Sequence, residues 1–106
     1  MIVEVTPAGV RLLNPDDTKR LHVEVTGGLD GGQLAQALQA AQLGTVDGGH
    51  AFLRPAGLRG LAGDAATPAW EAELASMVDY ATSKGWVDGN GCLQAHLEFD
   101  DGKAHG

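Results

Sequence analysis

The sequence predicts an α+β fold: a two-layer sandwich in which a mostly antiparallel sheet has two to three helices covering one face. Two observations carry that expectation. Residues 21–26 and 93–99 alternate strictly between apolar and polar side chains, the period of a half-buried strand. Residues 68–81 instead place Trp70, Leu74, Met77, Val78 and Ala81 on a single helical stripe. Strands with one wet face and helices with one dry face stack as two layers.

The first strand is expected at residues 2–6, where Val3 and Val5 oppose Glu4 and Thr6. Pro7-Ala8-Gly9 turns the chain into a second strand at 10–13, and Asn14-Pro15-Asp16-Asp17 turns it again into a third at 20–26. Such short connections predict an antiparallel meander. Asp30 and Gln33 form a capping box, with Leu29 and Leu34 as a hydrophobic staple, so a helix carrying Leu34, Leu38 and Ala41 starts there and is expected to stop at Gly44. Residues 50–54 suit a short strand, with Ala51 and Leu53 against Phe52. Pro55 then opens a brief helix through Leu58 and Leu61 that ends at Gly63. Thr67-Pro68 caps the longest helix and Gly85 ends it, with Trp86 expected to fold back on Ala81 or Met77. Asp88-Gly89-Asn90-Gly91 turns into the last strand, and a polar tail from 100 to 106 is expected to fray. No repeat or linker divides the chain, so residues 1–106 read as one domain.

Composition narrows the function. The chain has 106 residues, 43% of them hydrophobic, and a formal charge of −7 from 14 acidic and 7 basic residues. Without a basic run it is a poor ligand for nucleic acid or anionic membranes. One cysteine, Cys92, excludes an internal disulfide and a multi-cysteine zinc site. No signal peptide and no long apolar run is evident, so a soluble, cytoplasmic protein is expected.

The chemistry-bearing pattern is His-x-Glu, found twice: His22 with Glu24 and His96 with Glu98. Residues two apart on a strand project to one side, and imidazole with carboxylate suits proton transfer or a divalent metal. The four residues are the candidate catalytic set. A solvated strand face has the same composition, and the sequence favours it, because spacing within each strand says nothing about whether the two are neighbours. No cofactor and no metal is expected on sequence alone. The other motifs fail on inspection. In calcium-loop register the acidic turn at 88–91 puts Trp86 and Leu97 where oxygen ligands are required. The glycine pairs lack a phosphate-loop pattern. His50 with Arg54 and Arg59 could hold a carboxylate substrate, but such arginines usually sit on the surface.

The expected role is binding or assembly as a homodimer, since a small open sheet has edges and a face to protect. A small acid–base or metal-assisted enzyme is the alternative, and an acidic inhibitor of a basic protein comes third.

Overall fold

A computed structural model describes residues 1–100; of the tail expected to fray from 100 to 106, Asp100 instead ends the last strand, paired with Thr26, and residues 101–106 lie outside the described residues. The chain is α+β, with strands β1 (Ile2–Thr6), β2 (Gly9–Leu13), β3 (His22–Thr26), β4 (Gly44–Asp47), β5 (His50–Leu53) and β6 (Leu93–Asp100). Helices α1 (Gly31–Ala40), α2 (Pro55–Ala62) and α3 (Pro68–Ser83) intervene, with a 3₁₀ turn (Gly63–Ala65) after α2.

The sheet order is β2-β1-β3-β6-β5-β4, and the sheet is mixed rather than mostly antiparallel. β1 pairs antiparallel with β2 as a hairpin, but β3 lies on the other side of β1 and runs parallel to it. The segment after β2 passes beneath the start of β1, where the Met1 ammonium donates to the carbonyl oxygens of Asp17 and Arg20 at 2.5 and 2.6 Å. The expected meander therefore fails at its third strand, because a short connection can step past one neighbour. β6 is parallel to β3 and antiparallel to β5.

The plain sandwich is also corrected. Helix α1 touches both β4 and β2, strands at opposite ends of the sheet, because the sheet curls around the helices into a half-barrel. Its inner face carries Val3, Val5, Val23, Val25, Ala51, Leu53, Leu93, Ala95 and Leu97, all buried against Leu34 and Leu38 of α1, Leu58 of α2, and Trp70, Leu74 and Ala81 of α3. Burying a Val or Leu side chain contributes about 1.5–3 kcal/mol, so this single cluster is the main source of stability. Phe99 continues the alternation in sequence but is exposed near the end of β6.

Local signals act as expected at the helix starts. Asp30 and Gln33 exchange both capping-box hydrogen bonds, and the Thr67 hydroxyl accepts from the Trp70 amide. One end differs. Helix α1 stops at Ala40, with Gln42 rather than Gly44 in the left-handed region (φ 57°). The amides of Leu43 and Gln42 donate to the carbonyls of Leu38 and Gln39, a Schellman closure. Gly44 opens β4, where a Cβ would lie 1.8 Å from the Phe52 carbonyl oxygen, so glycine permits a close strand approach. After Gly85 (φ 78°) the Trp86 amide donates back to the Ala81 carbonyl at 2.9 Å, and its ring stands edge-on to Tyr80 with centroids 5.9 Å apart.

Candidate functional site

The outer face of the sheet is built by the polar phase of the same strands. Alternation puts His22 and Glu24 outward because Val23 and Val25 point inward, and likewise His96 and Glu98 against Ala95 and Leu97. Tertiary register then does what spacing could not. β3 and β6 pair so that His22 stands opposite His96 and Glu24 opposite Glu98. All four sequence-predicted residues lie together on one face.

Two rows cross the strands. One holds His22, His96 and His50 on β3, β6 and β5. The other holds Glu4, Glu24 and Glu98 on β1, β3 and β6, with Arg11 of β2 at its end. Like charges directly opposite each other in a sheet are destabilising. Glu4 is relieved by Arg11, whose Nε donates to its carboxylate at 2.5 Å. Among the described residues Glu24 and Glu98 have no Lys or Arg partner, and their only basic neighbours within 4.0 Å are imidazoles.

The His22 ring sits between those carboxylates. Its Nε2 is 3.8 Å from Glu24 Oε2 and 3.9 Å from Glu98 Oε1, beyond hydrogen-bond range. That nitrogen is shielded from solvent and, among the described residues, has no hydrogen-bond partner. Donor atoms of His22, Glu24 and Glu98 all fall within 4.8 Å of one another, a spacing from which small rotations bring three ligands onto one divalent ion. His96 is more open, its side chain 65% exposed, with Nε2 4.0 Å from Glu98 Oε2.

His50 was read from the sequence with Arg54 and Arg59, and the structure separates them. Arg54 donates to the Gln42 carbonyl oxygen and Arg59 to Glu71, whereas His50 faces His96 with ring centroids 6.5 Å apart. The signal for its true place was available, since Ala51 and Leu53 face inward and therefore turn His50 out.

Cys92 lies elsewhere, in a cleft of about 570 Å³ lined also by Gln42, Arg54 and Asp88. Burial, and then the Asp88 charge, push its thiol above the ordinary range despite Arg54, so it is a poor nucleophile at neutral pH. Among the described residues no helix is long and apolar enough to cross a membrane. No protein family, curated protein or solved structure matches this chain, so the chemistry of the site follows from its own geometry.

Proposed function

We propose that the protein is a small binding module whose outer sheet face takes a divalent transition-metal ion, with His22, Glu24 and Glu98 as ligands. The observation that carries this reading is His22 Nε2, without a hydrogen-bond partner among the described residues, held between two opposed carboxylates that have no Lys or Arg partner among those residues. A cation there would relieve the repulsion between Glu24 and Glu98 and use the stranded lone pair of the imidazole. One nitrogen and two carboxylate oxygens suit zinc, cobalt or nickel, and the half-exposed setting leaves a coordination position for water or a small ligand. An ion with an open position can acidify bound water, which is how the acid–base or metal-assisted alternative would use the same residues.

Zinc titration followed by NMR of the imidazole protons tests this. Zinc is expected to move the His22 signals in the wild type and to bind far more weakly to His22→Ala. Imidazole signals that stay put through a large excess of zinc would sink the reading.

Assembly is a second reading, supported by the two ends of the sheet. β4 is a four-residue edge ending in Asp47, whereas β2 presents five residues with Arg11 as its one charge and Val10 and Leu12 half-buried. A lightly charged edge favours pairing with a second copy. Light scattering should then give about twice the 10.9 kDa chain mass. A strict monomer at high concentration removes the support.

A further inference from the structure

The Glu98 carboxylate divides its two oxygens between two imidazoles. Oε1 faces His22 Nε2 at 3.9 Å and Oε2 faces His96 Nε2 at 4.0 Å. Glu24, the direct partner of Glu98 in the β3–β6 register, also lies 3.8 Å from His22 Nε2, and beyond His96 stands His50, its direct partner in the β5–β6 register. Glu98 thus has one imidazole and one carboxylate near Oε1 and the His96–His50 pair on the side of Oε2.

We propose that the face holds two divalent cations bridged by Glu98. The first takes His22, Glu24 and Glu98 Oε1; the second takes His96, His50 and Glu98 Oε2. This rests on the single-ion reading above and extends it. A bridging carboxylate brings two ions to about 3.5–4 Å, the separation of two-metal sites, while its charge offsets their mutual repulsion. Asp47 stands opposite His50 in the β4–β5 register. The second position is the looser. Its rings lie at 69° to each other with centroids 6.5 Å apart, and they must turn inward to share an ion. The exposed His96 side chain has the freedom to do so. Its two nitrogen ligands select zinc, nickel or copper over magnesium or calcium.

Native mass spectrometry of the intact protein titrated with zinc chloride reads the stoichiometry. His105→Ala serves as the background, since it removes the one histidine outside the described residues. Two zinc ions per chain are expected, filling in sequence. His50→Ala should lose the second ion and keep the first, and Glu98→Gln should weaken both. With cobalt, the paramagnetic resonance signal per ion should fall between one and two equivalents, as bridged ions couple. Matching metal-free thermal melts for His50→Ala and its parent would show that folding is unaffected. Saturation at one ion, with His50→Ala unchanged, overturns the bridged pair and leaves the single-ion reading intact. Saturation at zero overturns both.

Discussion

The two faces of one sheet obey opposite rules. On the inner face every side chain from β1, β3 and β6 except the terminal Phe99 is buried against helices, and among the described residues no polar or charged residue is buried anywhere. On the outer face the same strands align Glu4 with Glu24 and Glu98, and His22 with His96, with a single guanidinium to balance the carboxylates. The inner face is arranged for stability. The outer face sets carboxylate opposite carboxylate where stability alone would alternate charges. Substitutions on the two faces should therefore differ in sign as well as in size.

Leu74→Ala should have the largest effect. Leu74 is 2% exposed between α3 and the sheet, so its truncation should cost about 2–5 kcal/mol through lost burial and a residual cavity. A denaturation midpoint close to wild type would place α3 off the sheet. Val23→Thr keeps the shape of the side chain but sets a hydroxyl on the fully buried inner side of β3. Denaturant titration should show a loss of about 1–3 kcal/mol, the cost of an unsatisfied buried polar group.

Glu24→Gln should reverse the sign. With a chelator present, removing one of two opposed carboxylates should stabilise the fold by about 0.2–1 kcal/mol. Zinc should then raise the melting temperature of the wild type by more than that of the variant, since an ion stabilises only the state that binds it. A destabilised Glu24→Gln in chelator would mean that the carboxylate row is structural, erasing the contrast. Arg11→Ala should matter least. Arg11 is 70% exposed, so breaking its pair with Glu4 should cost less than about 1 kcal/mol, and added salt should shrink the difference.

Much of this contrast was legible in particular residues. Val23 and Val25 between His22, Glu24 and Thr26 fix which side chains share a face, because side-chain direction on a strand is local geometry. The capping box at Asp30 and the Thr67-Pro68 start are equally local, and both helices begin where these residues predict. Gly44 misled, since glycine serves a helix stop and a close strand approach alike. Gln42 took the left-handed position, and β4, which the sequence reading passed over, begins at Gly44.

The sequence by itself determined the composition of each face and the positions of the helix starts, for each depends on side chains within a few residues of one another. Tertiary structure alone decided that β3 runs beside β1 and β6, and that their register sets His22 against His96 and Glu24 against Glu98. Nearly seventy residues separate those strands, and no local spacing encodes their alignment. It is fixed when the apolar side chains of both strands find places around the same helices, since a slip of β3 by one residue would turn Val23 outward and Glu24 into the core. The site on the outer face thus inherits its geometry from the packing of the inner one.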